Sequence, residues 1–137
     1  MGGNEMKKIL VVDDEQVVRS LIKKALETKY QIIEADDGVK AIEWAHKVRP
    51  DIILMDIIMP KTDGYSACYE IKNDPTTKDI PVIMVTALGQ ELNNKLANQM
   101  GADAYLTKPF RPKQVRDAVS KLLRPNKTDQ LELRVTV

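Results

Sequence analysis

The stretch Asp51-Ile-Ile-Leu-Met-Asp56-Ile-Ile-Met-Pro60 decides the fold of this chain of 137 residues. Residues 52–55 are apolar at every position, which is typical of a strand that is buried on both faces. Such strands lie in the middle of parallel sheets that carry helices on each side. Pro60 cannot donate a hydrogen bond to a neighbouring strand, so the strand is expected to end before it, with Asp56 at its carboxyl end. In open α/β sheets, ligands bind at that edge.

The composition limits the classes of protein to which the chain can belong. With 43% hydrophobic and 30% charged residues, a chain of this length is expected to form one domain with a real core. The net charge of +1 does not indicate a domain that binds polyanions. Cys68 is the only cysteine, so no disulfide can form within the chain and a reducing compartment is expected. No apolar run has the length of a membrane span and no secretory signal opens the chain, so the sequence predicts a cytoplasmic protein.

Strand-like and helix-like segments alternate along the chain. Short strands are predicted at residues 8–12, 30–35, 52–56, 80–85 and 104–107. Helices are predicted after residue 15, at 39–48, 65–72 and 91–100, and from residue 112 onward. Five βα units with short connections predict an α/β fold with a five-stranded parallel sheet and helices on both faces. The second strand is the most polar one and is expected at an edge of the sheet.

The helix patterns give more local predictions. The i, i+3, i+4 spacing in the first helix predicts one apolar stripe toward the core, formed by Val17, Val18, Leu21, Ile22, Ala25 and Leu26. Asp36-Asp37-Gly38 and Thr62-Asp63-Gly64 predict turns that open the second and third helices. On the second helix, Trp44 is expected to be partly exposed. His46 is expected to lie at the surface and not to act as a ligand.

Polar and charged side chains follow four of the strands at their carboxyl ends. They are Asp13 and Asp14 after the first strand, Asp56 at the end of the third, Thr86 after the fourth and Lys108 after the fifth. Parallel strands bring these residues to one edge of the sheet. Two carboxylates about 4 Å apart repel by roughly 4 kcal/mol at an effective dielectric constant near 20, so the cluster requires a cation or retained protons. Hard oxygen ligands in an open pocket favour Mg²⁺, and no histidine or cysteine cluster indicates zinc.

Asp56 is predicted to act as a nucleophile, because an aspartate carboxylate can attack phosphorus and form an acyl phosphate. In this interpretation Mg²⁺ bridges Asp14, Asp56 and a phosphoryl oxygen. Lys108 pairs with a second oxygen, and the hydroxyl group of Thr86 donates to a third. Phosphoryl transfer requires little beyond such positioning and charge neutralisation. A purely structural interpretation also exists for single residues, since Asp13 can cap the first helix and an isolated lysine is most often solvated.

Together these motifs resemble the receiver (response regulator) domain of two-component phosphorelay systems. The matching motifs are Val-Val-Asp-Asp-Glu (11–15), Leu-Met-Asp-Ile-Ile-Met-Pro (54–60), Asp63-Gly64, Val-Thr-Ala (85–87) and Lys-Pro-Phe (108–110). The resemblance covers residues 7–123, and none of the expected motifs is missing. It implies a flavodoxin-like (βα)5 fold, similar to that of the chemotaxis regulators, with the sheet order 2-1-3-4-5.

The resemblance also implies roles for single residues. It makes Asp56 the acceptor of a phosphoryl group from a histidine kinase or a histidine phosphotransfer protein. It makes Asp14 the direct Mg²⁺ ligand, with Asp13 acting mainly through water and the backbone carbonyl of Ile58 as a third protein ligand. The peptide bond Lys108-Pro109 is expected to be cis.

By the same resemblance, phosphorylation draws Thr86 inward and lets Tyr105 rotate into the space that opens. Considered on its own, Tyr105 fits a core position better than a switch. The switch reshapes the surface of the predicted fourth helix, the fifth strand and the last helix for a downstream protein or effector domain. The protein is therefore expected to be a signalling phosphoacceptor that catalyses only its own phosphorylation and dephosphorylation. Ile58 and Leu88, both bulky, are expected near the phosphoryl group, where they impede the attacking water. The resemblance also admits a dimer that forms on phosphorylation.

Two other functional classes fit the sequence less well. An aspartate-based phosphatase commonly has a second acid two residues after its nucleophile, but that position is Ile58. A flavodoxin-like nucleotide or flavin binder needs a phosphate loop rich in glycine or hydroxyl groups after the first strand. Here that loop begins with Asp13 and Asp14, which repel phosphate in the absence of a metal ion.

The ends of the chain carry separate predictions. Residues 1–6 are expected to be a disordered lead, 7–124 the receiver domain, and 125–137 a linker or tail. Apolar and polar residues alternate over 131–137, so this segment is a candidate for three roles: a strand added to a partner's sheet, the start of an effector domain, or a disordered tail. The chain is accordingly either a single-domain receiver or the front of a longer regulator. No recognition helix for DNA is present in the sequence, so direct binding of nucleic acid is not expected, and no membrane association is expected.

Overall fold

The computed structural model describes residues 6–87 and 99–123, and only the backbone of Thr86 and Ala87. The five strands are β1 (Lys8–Val12), β2 (Gln31–Ala35), β3 (Ile52–Asp56), β4 (Val82–Ala87) and β5 (Ala104–Lys108). All pair in parallel in the order β2-β1-β3-β4-β5, which confirms the predicted sheet and its polar edge strand. The described helices are α1 (Gln16–Leu26), α2 (Gly38–Val48), α3 (Gly64–Lys72) and α4 (Pro112–Leu122).

Several predictions concern residues outside the described part of the chain. They are the lead segment before Met6, most of the predicted fourth helix, the position of Leu88 and the tail 125–137. Within residues 6–87 and 99–123, no helix combines the length and the apolar character that crossing a bilayer requires.

β3 lies in the centre of the sheet, between β1 and β4. All five of its residues are buried, and successive side chains point to opposite faces. Ile53 and Met55 contribute to the core on one face, while Ile52 and Leu54 contribute to the core on the other. Residues 52–55 of this strand are all apolar because helices cover both faces.

Each face of the sheet has its own core. On one face, buried residues of α2 and α3 cover the strands: Ala41, Ala45, Ala67, Cys68 and Ile71. On the other face, α1 and α4 supply Ile22, Leu26, Val115 and Val119. Fully burying a side chain of leucine or isoleucine size contributes roughly 1.5–3 kcal/mol, so these two cores hold the helices against the sheet.

The prediction for the apolar stripe of α1 is wrong at two positions. Val17 and Leu21 are 72% and 57% exposed, whereas Ile22 and Leu26 are buried. Neighbouring residues of a helix lie about 100° apart, so the two members of an adjacent apolar pair do not face the core equally. The second member of each pair therefore faces the core, and the first members, Val17 and Leu21, lie at the surface.

The predicted turns and helix starts are present. The carboxylate of Asp37 accepts a hydrogen bond from the backbone of Lys40 and caps α2, and Asp63 accepts from Ser66 and caps α3. β4 begins two residues later than predicted, after Pro81, which lacks the N–H that a strand ladder requires.

The amino ends of the strands are held by carboxylates that accept backbone hydrogen bonds. Asp51, before β3, accepts from the N–H of Lys8 at 2.7 Å. Asp103, before β5, accepts from the N–H of Val82 at 2.8 Å, and the Lys72 amine lies 2.9 Å from the same oxygen. These contacts align neighbouring strands at the edge opposite to Asp56.

Two aromatic side chains of α2 lie as the sequence predicts. Trp44 is half-buried, packs against the core that contains Met55, and has the Lys47 amine 5.3 Å from its ring centre. His46 is exposed, with Nδ1 2.9 Å from the Ile42 carbonyl and Nε2 2.9 Å from the Asp74 carboxylate. Both of these partners are acceptors, so the doubly protonated imidazolium satisfies them, and the hydrogen bond to Asp74 raises the pKa of His46.

Candidate functional site

Three charged side chains from three strands meet at the carboxyl edge of the sheet. Asp13 follows β1, Asp56 ends β3 and Lys108 ends β5. The Lys108 amine lies 3.2 Å from an oxygen of Asp13 and 3.4 Å from an oxygen of Asp56. The long lysine side chain spans the distance that β4 imposes between β3 and β5. The structure thus brings together residues that are up to 95 positions apart in the sequence.

Asp14 completes a group of three carboxylates. One oxygen each from Asp13, Asp14 and Asp56 lie within 4.8 Å of one another. Asp13 and Asp56 are buried, whereas Asp14 is exposed, so the group opens to solvent on the Asp14 side. Three carboxylates in this arrangement offer the hard oxygen ligands that Mg²⁺ prefers, and the open side leaves room for water ligands.

Asp13 has structural contacts as well as a place in this group. Its Oδ1 accepts a hydrogen bond from the N–H of Glu15 at 2.9 Å, in the turn that leads into α1. Its backbone carbonyl accepts from the Arg19 guanidinium at 2.8 Å. Because Glu15 is the residue that precedes the helix, Asp13 orders the turn and does not itself occupy the cap position.

Burial and crowding change the proton affinities at the site. Desolvation, reinforced by the nearby charge of Asp13, raises the pKa of Asp56 to about 6, although Lys108 acts in the opposite direction. Burial by itself disfavours the charged form of Lys108, but Asp56 and Asp13 outweigh this effect and raise its pKa. One lysine therefore neutralises only part of the negative charge, which is the condition under which a buried carboxylate cluster binds a divalent cation.

The other predicted site residues belong to the loop after β3 and to β4 and β5. Ile58 lies two residues beyond β3 and is 73% exposed. Thr86 pairs with Thr107 in the ladder between β4 and β5, but its side chain is outside the description. Tyr105 pairs with Met84 in the same ladder, and its half-buried ring packs against the core beneath α2 and α3. The peptide bond Lys108-Pro109 is cis, as the sequence predicts.

The loop 57–63 carries Ile58 and is closed on itself next to Asp56. The N–H of Gly64 donates to the Ile57 carbonyl at 2.8 Å. A Cβ atom at Gly64 would overlap the carbonyl oxygen of Asp56, so only glycine allows this close approach. The motif Asp63-Gly64 is therefore explained by backbone packing against the residue that ends β3.

Sequence reasoning missed a second contact of this loop, with the start of α2. A Cβ atom at Gly38 would overlap the carbonyl oxygen of Thr62, and the Lys61 amine lies 3.5 Å from the buried carboxylate of Asp37. The two Asp-Gly pairs at 37–38 and 63–64 were the available signal. Each was explained as a separate turn, and nothing in the sequence indicates that one Asp-Gly pair lies against the loop that precedes the other.

Comparison with known proteins places the chain among signalling proteins. Residues 9–120 match the response regulator receiver domain family. The chemotaxis protein CheY of Halobacterium salinarum is 43% identical over 118 residues, which cover 85% of this chain and 97% of that protein. The transcriptional regulator RpaA of Synechocystis sp. is 39% identical over 127 residues, which cover 92% of this chain and 52% of that protein. The chain thus spans about half the length of the transcriptional regulators that it matches.

Solved structures show the same architecture. The chemotaxis response regulator CheY4 of Vibrio cholerae has 28% identity and a TM-score of 0.81, covering 86% of this chain and 99% of its own. The receiver domain of the sensor histidine kinase PA1611 of Pseudomonas aeruginosa has 31% identity and a TM-score of 0.80, covering 86% and 98%. That structure has a magnesium ion coordinated in its active-site cleft.

Proposed function

Since the chain belongs to the family of response regulator receiver domains, we propose that Asp56 accepts a phosphoryl group in two-component signalling. The observation that carries this proposal is the convergence of Asp56 with Lys108 and a second buried carboxylate, Asp13, at the carboxyl edge of the sheet. A lone structural aspartate needs neither a lysine from a distant strand nor two acidic neighbours.

The proposed donor is a phosphohistidine of a histidine kinase or a histidine phosphotransfer protein. An oxygen of Asp56 attacks phosphorus, the phosphorus–nitrogen bond breaks, and the imidazole leaves and takes up a proton. The attack requires ionised Asp56, which its pKa of about 6 provides at neutral pH. Lys108 is in position to pair with a phosphoryl oxygen next to the oxygen that attacks.

We also propose a Mg²⁺ site formed by Asp13, Asp14, Asp56 and the backbone carbonyl of Ile58. The first three residues present oxygens close enough to share one ion. The ion would supply positive charge that the site lacks, since Lys108 balances only part of the negative charge of the cluster. Asp14, the exposed member, is the proposed direct ligand, and Asp13, which is hydrogen-bonded to Glu15, is the proposed ligand through water.

For the output, we propose that Thr86 and Tyr105 couple phosphorylation to the surface formed by the predicted fourth helix, β5 and α4. An open groove of about 670 Å³ lies between β5 and α4, and its lining includes Tyr105, Asp117 and Lys121. A change in the position of Tyr105 alters the wall of this groove, which gives a partner protein or an effector domain a feature to distinguish. A dimer formed on phosphorylation would use the same surface.

The proposed domain comprises residues 7–124, with a lead before it and a linker or tail after it. The proposed mode of action is signalling through protein contacts in the cytoplasm. Direct binding of nucleic acid by this chain is not part of the proposal. The match to 97% of CheY supports a single-domain receiver, and the match to about half the length of several transcriptional regulators supports the front of a longer regulator.

The lifetime of the phosphorylated state is a further part of the proposal. Ile58 is exposed and lies two residues beyond Asp56, and we expect its side chain to impede the water that hydrolyses the acyl phosphate. The phosphorylated Ile58→Asn variant is expected to have a shorter half-life than the wild type. An unchanged half-life would show that Ile58 does not limit access of water.

The mass of the intact protein after incubation with acetyl phosphate, with and without Mg²⁺, tests the proposed function. The wild type is expected to gain one phosphoryl group only with Mg²⁺, and Asp56→Asn is expected to gain none. Asp51→Asn is the matched control, because Asp51 precedes the same strand at its opposite end and is expected to leave the gain intact. A wild type that gains no phosphoryl group under any of these conditions, or an Asp56→Asn variant that still does, would contradict the proposal.

A further inference from the structure

We propose that the start of α2 positions the metal-binding loop 57–63 through a clamp formed by Asp37, Gly38 and Lys61. The clamp holds the loop so that the Ile58 carbonyl faces the acidic group, and it thereby sets the affinity for Mg²⁺. This inference rests on the proposed function, because it takes the Ile58 carbonyl as a ligand.

The two ends of the loop are joined by a hydrogen bond, whereas most residues between them are exposed. The hydrogen bond from Gly64 to Ile57 closes its base beside Asp56. Of residues 58–63, Met59 alone is buried, and Ile58 and Lys61 are exposed. A segment with one buried side chain needs a further contact to keep a single conformation.

Gly38 supplies one such contact through backbone packing. A Cβ atom at this position would overlap the carbonyl oxygen of Thr62 and would lie 2.9 Å from the Thr62 carbonyl carbon. The first residue of α2 therefore lies directly against the loop backbone. The contact point is four residues beyond Ile58, within the same short loop.

Asp37 and Lys61 supply the second contact. Lys61 has a φ angle of 64°, in the left-handed region that disfavours side chains larger than glycine, so the loop conformation requires support from elsewhere. The Lys61 amine lies 3.5 Å from Oδ2 of Asp37, while Oδ1 accepts from the N–H of Lys40. The carboxylate is 5% exposed, so its attraction for the lysine is screened less than that of a surface pair. Asp37 thus links the first turn of α2 to the loop.

Magnesium binding is sensitive to such positioning because the ion demands near-octahedral geometry with oxygen distances of about 2.1 Å. Asp13 and Asp56 are fixed by the sheet, since one follows β1 and the other ends β3. The Ile58 carbonyl belongs to the loop and has no strand to fix it. Displacement of the loop therefore changes this ligand while it leaves the carboxylates in place.

The clamp can be distinguished from a simple effect of charge, because the two explanations predict opposite changes in Mg²⁺ affinity for Lys61→Met. Lys61→Met removes a positive charge from the loop that follows Asp56, so a pure field effect makes Mg²⁺ bind more tightly. Loss of the clamp makes Mg²⁺ bind more weakly. Gly38→Ala changes no charge, and the overlap with Thr62 forces the loop away, so it is also expected to weaken binding.

Isothermal titration of the full chain with Mg²⁺ tests the clamp. Lys61→Met and Gly38→Ala are each expected to raise the dissociation constant by about tenfold, the effect typical of groups that orient a metal ligand. Lys61→Arg retains the charge and is expected to bind Mg²⁺ with the affinity of the wild type. Lys47→Met removes an exposed lysine elsewhere on α2 and serves as the control that leaves affinity unchanged.

The outcomes separate the clamp from the proposed function. The free energy of unfolding in the presence of EDTA is measured for each variant, because a merely structural clamp lowers this energy and leaves the dissociation constant unchanged. Equal or tighter Mg²⁺ binding by Lys61→Met overturns the clamp, and this variant decides the question even where Gly38→Ala does not fold. A wild type that neither binds Mg²⁺ nor accepts a phosphoryl group overturns the proposed function itself.

Discussion

The two ends of the sheet use aspartate in opposite ways. At the amino end, Asp51 and Asp103 each accept a backbone hydrogen bond, and Lys72 lies 2.9 Å from Asp103. At the carboxyl end, oxygens of Asp13, Asp14 and Asp56 lie within 4.8 Å of one another, and the Lys108 amine lies 3.2 Å from Asp13 and 3.4 Å from Asp56. The acids at the amino end meet donors that balance them, whereas the acids at the carboxyl end repel one another.

This difference separates carboxylates that support the fold from carboxylates that support function. The acids at the amino end stabilise the fold through hydrogen bonds to backbone N–H groups of neighbouring strands. Folding raises the free energy of the ionised form of Asp56, as its pKa of about 6 indicates. A site that keeps unbalanced charge at the expense of stability is typical of a site prepared for a ligand.

The largest expected effect is at the amino end, in Asp103→Ala. This change leaves the N–H of Val82 and the largely buried Lys72 amine without their carboxylate, so it is expected to lower the free energy of unfolding by about 2–4 kcal/mol. Urea denaturation measures the loss. Asp79→Ala is the control, since Asp79 is exposed and its removal is expected to change little. A loss as small as that of the control would remove the distinction between the two ends.

At the carboxyl end the comparable change is expected to stabilise the protein. The pKa of Asp56 lies above its unfolded value, so the ionised form destabilises the native state, and this loss develops as the pH rises from about 4 through 6. Asp56→Asn is therefore expected to raise the free energy of unfolding by about 1–2 kcal/mol at pH 8 without metal, an amount that allows for residual solvent contact.

Urea denaturation in EDTA at pH 8, 6 and 4 measures this gain, which is expected to vanish at the lowest pH. Asp51→Ala is expected to lower stability under the same conditions, because it removes the oxygen that accepts the backbone hydrogen bond of Lys8. A less stable Asp56→Asn at pH 8 would show that the attraction between Asp56 and Lys108 outweighs burial and repulsion.

Asp14→Asn is expected to have a smaller effect of the same sign. Asp14 is exposed, so relief of its repulsion with the buried acids is expected to contribute less than about 1 kcal/mol and to raise the metal-free melting temperature by a few degrees. The same change is expected to weaken Mg²⁺ binding, which calorimetric titration measures. A lower melting temperature would mean that Asp14 supports the fold, as the acids at the amino end do.

The smallest expected effect is that of His46, whose imidazolium pairs with Asp74 just beyond the carboxyl end of α3. Its raised pKa contributes stability that is fully present below about pH 6.5 and is lost as the pH rises through the folded value. His46→Gln is therefore expected to be less stable than the wild type at pH 6 and equal to it at pH 9. Unlike the effect at Asp56, this difference is expected to be independent of Mg²⁺. A difference that Mg²⁺ abolishes would connect His46 to the site.

The main features of the fold and of the acidic group were predictable because they depend on short-range sequence patterns. The unbroken apolar run in β3 requires cover on both faces, and parallel strands place Asp13, Asp56 and Lys108 on one edge whatever the details of the loops. The orientation of α1 was predicted only in part, since Val17 and Leu21 are as apolar as the residues beside them. Only the packing of the whole helix decides which of two adjacent apolar residues is buried.

The contact between α2 and the loop 57–63 was not predictable from the sequence. Gly38 and Thr62 are far apart in the chain, and their contact is between backbone atoms, which leave no pattern of side-chain types. Lys61 is a common surface residue until its left-handed φ angle and its distance to Asp37 are known. Backbone approaches of this kind depend on the tertiary arrangement of two turns, each of which is ordinary by itself.

Trp44, the only tryptophan of the chain, gives the protein an intrinsic spectroscopic probe. Its indole is half-buried on α2 and lies beneath the Lys47 amine, so its fluorescence depends on how this helix rests on the sheet. The same helix begins at Gly38, against the loop of the acidic site. Fluorescence emission therefore reports, without any label, on the helix that connects the loop to the core.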